Sequence, residues 1–125
     1  MEKNKQLGIW MDHSIAYLIE LTNDTITQSS IVSETAIPEK EFNLYKGEKL
    51  VHKKEQHQQS DYYRKLSATI RNYQEVVLFG PTDAKNELLN ILRTDHLFEN
   101  IKIDIVDSDK MAEKQMHTFV REFFK

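Results

Sequence analysis

A chain of 125 residues with 39 % hydrophobic and 30 % charged side chains is one soluble domain's worth of sequence, long enough to bury a core without staples. Seventeen Lys+Arg against twenty Asp+Glu leave a net charge of −3, which argues against a wholly basic nucleic-acid binder but not against a local basic patch. Cysteine is absent, so disulfides and thiolate metal sites are excluded; no apolar run approaches the ~20 residues of a membrane helix, and no signal-peptide core follows Met1–Gln6, so the expected location is the cytoplasm.

Leu7-Gly8-Ile9-Trp10-Met11 is an apolar run closed by the turn-forming Asp12-His13-Ser14, and it predicts a first strand. Ile15–Leu21 is rich in β-branched and aromatic residues and too short for a typical helix, so it predicts a second. Thr22-Asn23-Asp24 is the next turn, and the Thr- and Ile-rich stretch Thr25–Ser33 is the third strand. Short turns between successive strands imply an antiparallel meander. Residues 35–59 carry Pro38, Gly47 and many Lys, Glu, Gln and His without a sustained period, which predicts a long mobile loop.

From Ser60, a candidate cap, the period becomes helical, with Tyr62, Leu66, Ile70 and Tyr73 on one face. Glu75–Phe79 reads as a buried strand, and Gly80-Pro81-Thr82-Asp83 breaks it and opens a helix faced by Ala84, Leu88, Ile91 and Leu92. Ile101–Val106 is a further strand. Asp107-Ser108-Asp109 is expected to cap a last helix with Ala112, Met116, Phe119, Val120 and Phe123 on its inner face.

The order is three strands, a long loop, then α-β-α-β-α, as one domain over 1–125. A βαβ unit demands a parallel pair and a right-handed crossover. The expected fold is α/β and ribonuclease H-like: a five-stranded mixed sheet of order 3-2-1-4-5, strand 2 antiparallel to the rest, with helices packed on it.

Several local runs resemble the central domain of archaeo-eukaryotic class-I peptide release factors and Pelota, in its small bacterial single-domain form. They are Gly8-Ile9-Trp10-Met11-Asp12-His13 with Ala16; Val77-Leu78-Phe79-Gly80-Pro81 with Ala84-Lys85; and Asp109-Lys110-Met111 with Gln115 and Val120–Phe124. The resemblance is spread thinly over nearly the whole chain. It implies a translation role with a ribosome or tRNA partner. In release factors, the loop before the first long helix carries Gly-Gly-Gln and assists hydrolysis of peptidyl-tRNA. Here the matching stretch is His57-Gln58-Gln59-Ser60, so Gln59 and Ser60 match while His57 and Gln58 replace the glycines. Glycines reach backbone angles that other residues adopt only with strain. The expectation is therefore a binding protein without peptidyl-tRNA hydrolysis, and with no cofactor or metal.

The residues carry their own case for RNA contact. Lys53, Lys54, Arg64, Lys65 and Arg71 are opposed in their region only by Glu55 and Asp61. Cations neutralise phosphates, His57 adds charge below neutral pH, and Tyr62 or Tyr63 can stack on an unpaired base. The proposed contact set is Lys53, Lys54, His57, Gln59, Tyr63, Arg64 and Lys65; the bland alternative is a solvated loop with Tyr62 in the core. The five histidines show no metal-ligand spacing. A Mg²⁺-dependent nuclease would need Asp12, Glu20, Asp104 and Asp107 to converge. A third reading is a protein-interaction module that joins another subunit. Gly80-Pro81-Thr82 reads as a structural turn rather than an anion site.

Overall fold

The computed structural model describes residues 5–23, 25–33 and 61–125. Five strands, β1 (Gln6–Met11), β2 (Ile15–Thr22), β3 (Thr25–Val32), β4 (Glu75–Gly80) and β5 (Lys102–Asp107), form one sheet of order β3-β2-β1-β4-β5. The β1–β2 and β2–β3 pairs are antiparallel, whereas β1–β4 and β4–β5 are parallel. This is the mixed sheet and strand order expected from the sequence. Helix α1 spans 61–70, α2 is Ala84–Arg93, and α3 is Glu113–Phe123. The Asp24 end of the second turn, the cap at Ser60 and the loop at 35–59 lie outside the described residues.

Strand period divides the core in two. Leu7, Ile9 and Met11 of β1 and Val76 and Leu78 of β4 pack with Leu66 and Ile70 of α1 and Leu88 and Leu92 of α2. The intervening Trp10, Val77 and Phe79 face Met116 and Val120 of α3. Among the described residues, two helices therefore cover one face and one covers the other. Gly8 lets α3 sit down: a Cβ there would come 2.3 Å from Val120 Cγ2. Gly80 has φ +143°, and a Cβ there would come 2.3 Å from the Met11 carbonyl oxygen, so glycine permits both the backbone angle and the approach of β4 to β1.

Some boundaries and faces differ from expectation. Helix α1 ends at 70, so Tyr73 lies in the following turn, where its hydroxyl donates to Glu20 at 2.9 Å. Ile91, expected on the inner face of α2, is 45 % exposed; Lys85 takes a buried place on that helix instead. Asp107-Ser108-Asp109 does not cap α3. Asp107 ends β5, and the N-cap is Ala112, whose methyl side chain has no acceptor. Gln115 Oε1 instead accepts from the Ala112 N–H at 2.8 Å, half of a capping box. Phe123 is exposed and Phe124 packs at the core edge, because two adjacent rings cannot share one helix face.

Candidate functional site

The described ends of the chain around 34–60 meet at one edge of the sheet. Ser33 N–H donates to the Ser14 carbonyl at 2.8 Å, so β3 leaves beside the β1–β2 turn. Helix α1 begins against the same turn, where the Tyr62 hydroxyl donates to the Asp12 carbonyl at 2.8 Å. The turn is itself closed by Asp12 Oδ1, which accepts from the N–H groups of Ser14 and Ile15 at 2.8 and 2.9 Å. This edge is the carboxyl end of β1, β4 and β5, where open α/β sheets commonly place ligands.

A second anchor joins α1 to α2. The Tyr63 hydroxyl donates to Glu87 Oε1 at 2.6 Å, and His13 Nε2 lies 3.2 Å from the same oxygen. The Tyr63 hydrogen bond, with His13 assisting, holds the Glu87 carboxyl below its usual range. Burial, with Asp12 nearby, pushes the Tyr62 phenol well up, so it stays a donor. These two phenols fix α1 at its start.

Lysine 85 lies at the same edge and is 2 % exposed. Its Nζ donates to the Thr82 carbonyl at 2.7 Å and pairs with Asp107 Oδ1 at 2.9 Å. The Asp107 carboxylate stays in solvent, so the pair ties the end of β5 to the start of α2 while one partner remains hydrated. Lys85 stands three and seven residues before Leu88 and Leu92, on their stripe. That spacing was the available signal for its burial.

The expected contact residues divide by location. Lys53, Lys54, His57 and Gln59 lie outside the described residues. Arg64 and Lys65 are exposed on α1, with Arg64 paired to Asp61. Tyr63 is 6 % exposed and its ring packs in the core, so it holds the helix rather than offering a face to a base. The roles of Glu87 and His13 were missed, because their contacts join residues 24 and 74 positions apart and leave no local pattern.

The carboxylates of the nuclease reading do not converge. Glu20 pairs with Leu7 in register and meets Tyr73 on the α1 side, while Asp104 alternates with Ile103 and Ile105 and so points to the α3 side. Asp12 holds its turn and Asp107 holds Lys85. Among the described residues, no group of three or more His, Asp or Glu could hold a metal ion. Among them too, no helix is long and apolar enough to cross a membrane. Gly80-Pro81-Thr82 is a turn in which Thr82 Oγ1 accepts from the Ala84 N–H at 3.2 Å.

Neither a protein-family model nor a curated protein matches this chain. Solved structures do. Pelota of Archaeoglobus fulgidus superposes with a TM-score of 0.61 at 10 % identity, over 97 % of this chain and 32 % of that one. Pelota of Thermoplasma acidophilum gives 0.60 at 12 % identity, over 95 % and 32 %. The archaeal translation termination factor aRF1 gives 0.54 at 14 % identity, over 97 % and 39 %. The chain shares its fold with part of these proteins. It spans 32–39 % of their length, about a third.

Proposed function

We propose that this chain is a translation-associated binding domain of the release-factor central-domain type, in the single-domain form seen in small bacterial relatives. It contacts the ribosome or a tRNA and does not hydrolyse peptidyl-tRNA. The contact is made by residues 46–60, with Lys53, Lys54, His57 and Gln59, and by the exposed Arg64 and Lys65 on α1. The observation that carries the reading is the anchoring: Ser33 and α1 are pinned to one turn, so the chain between them begins and ends at the edge where Arg64 and Lys65 stand. The likeness in fold to Pelota and to a translation termination factor supports the choice of partner. Loss of hydrolysis follows from His57 and Gln58 standing in place of two glycines.

Binding through cations to phosphates weakens with salt. Co-sedimentation with ribosomes at low and moderate salt tests this, beside a Lys53→Glu, Lys54→Glu, Arg64→Glu variant. Saturable binding that is lost in the variant supports the proposal. A protein-interaction role is favoured by a different observation: Ile91 and Leu97 are 45 % and 52 % exposed. That role predicts a specific protein partner retained after nuclease treatment and moderate salt.

A further inference from the structure

The α3 face of the sheet carries a cleft of about 390 Å³ at the carboxyl end of β1, within the range of small-ligand sites. Trp10 and Tyr17, paired across β1 and β2 with ring centroids 5.9 Å apart, line it together with the thioethers of Met111 and Met116. Flat aromatic and polarisable sulfur groups suit a planar ring. Trp10 is 4 % exposed, and its indole Nε1 is the only buried side-chain nitrogen or oxygen among the described residues that lacks a hydrogen-bond partner. An unsatisfied buried donor is unusual in a folded protein and calls for an explanation. The rim adds the carboxylates of Asp12 and Glu113. One Asp12 oxygen is committed to the turn, whereas Glu113 is exposed at the start of α3.

We infer that this cleft binds an unpaired nucleobase that carries both a hydrogen-bond acceptor and an exocyclic amine. The ring stacks against the aromatic and thioether floor. Its acceptor, a carbonyl oxygen or ring nitrogen, takes the Trp10 N–H. Its amine donates to the rim carboxylate of Glu113. The sugar and phosphate stay outside, on the side of the exposed Lys110. The N–H is shielded from water, so the acceptor reaches it as the lead-in 108–112 yields; that stretch lies outside any helix or strand. Adenine, cytosine and guanine have the required pair of groups, whereas uracil has no amine. The site lies on the α3 face, away from Arg64 and Lys65 on α1, and does not depend on the ribosomal reading.

Trp10 is the sole tryptophan, so its fluorescence reports on the cleft directly. Purified protein is titrated with AMP, CMP and UMP, and with short oligoadenylate and oligouridylate. Saturable quenching is expected with AMP or CMP and about tenfold weaker binding with UMP, the effect of losing one hydrogen bond to a charged carboxylate. Quenching by oligoadenylate alone assigns the same chemistry to single-stranded RNA rather than a free nucleotide. Glu113→Ala, a change at an exposed position that removes the acceptor, should weaken AMP about tenfold while leaving UMP unchanged. Trp10→Phe, followed by calorimetry beside a thermal melt, should weaken AMP similarly. No saturable response to any of the five probes overturns the inference. So does a response equal for adenine and uracil forms, or one unmoved by Glu113→Ala.

Discussion

The two faces of the sheet are made from alternate residues of the same strands, yet they are finished differently. On the α1/α2 face the polar groups are matched at both ends of the strands: Tyr62 with the Asp12 carbonyl, Tyr63 with Glu87 and Lys85 with Asp107 at the carboxyl end, and Tyr73 with Glu20 at the other. On the α3 face a single helix lies over Gly8, and Trp10 Nε1 is left without a partner beside an open cleft. The paired face fixes α1 and α2 to the strand ends. The other face keeps one buried donor, the Trp10 N–H, unpaired. The two faces pack against different helices, so each can be perturbed separately.

The largest effect should come from the core of the first face. Leu88 is fully buried between α2 and the sheet, so Leu88→Ala should destabilise by about 2–5 kcal/mol in a denaturant melt. The close approach on the other face comes next. Gly8→Ala places a methyl against Val120 and should cost about 1–3 kcal/mol. Adding Val120→Ala should recover much of the clash, giving a coupling of about 0.5–3 kcal/mol in a double-mutant cycle. Additive losses would mean that Gly8 matters for something other than the seat of α3.

The anchoring phenol should give a smaller change. Tyr63→Phe removes one hydrogen bond to a partly exposed carboxylate and should cost about 1 kcal/mol. The Glu87 carboxyl is held below its ordinary range in the folded chain, so its contribution is present above the unfolded pKa and is lost as pH falls through the folded value. Glu87→Gln should therefore flatten the acid limb of a stability–pH curve and leave neutral pH to alkaline pH unaffected in shape. At the alkaline end the sign reverses. Burial, aided by the hydrogen bond to Glu20, pushes the Tyr73 phenol up to about 12, so its stabilisation is full below pH ~10 and fades as pH rises toward 12. Tyr73→Phe should remove that slope.

The sheet was legible because its signals are local. β-branched runs and short turns mark the five strands, and the parallel demand of a βαβ unit, with three antiparallel strands before it, points to the ribonuclease H-like order that the sheet has. The errors are equally physical. Asp107-Ser108-Asp109 looks like a cap, but β5 extends to Asp107, and the carboxylate is drawn to Lys85. Ile91 looks like core because apolar residues usually are, but Lys85 falls on the buried stripe, and a long lysine stem packs well while its ammonium finds the Thr82 carbonyl. Of the site, the charge of Arg64 and Lys65 could be read along the chain. The burial of Tyr63 could not, since its ring packs in a core assembled from distant strands and helices. The cleft beside Trp10 was also hidden, because it forms where the β1–β2 turn, β2 and the approach to α3 come together.

The proposed contact of residues 46–60, Arg64 and Lys65 with the ribosome or a tRNA rests on cations meeting phosphates. Its most direct test is co-sedimentation of the purified protein with ribosomes, at low and moderate salt, beside the Lys53→Glu, Lys54→Glu, Arg64→Glu variant. Saturable binding that weakens with salt and disappears in the variant is expected. Absence of binding even at low salt, or binding untouched by the three reversals, would contradict it.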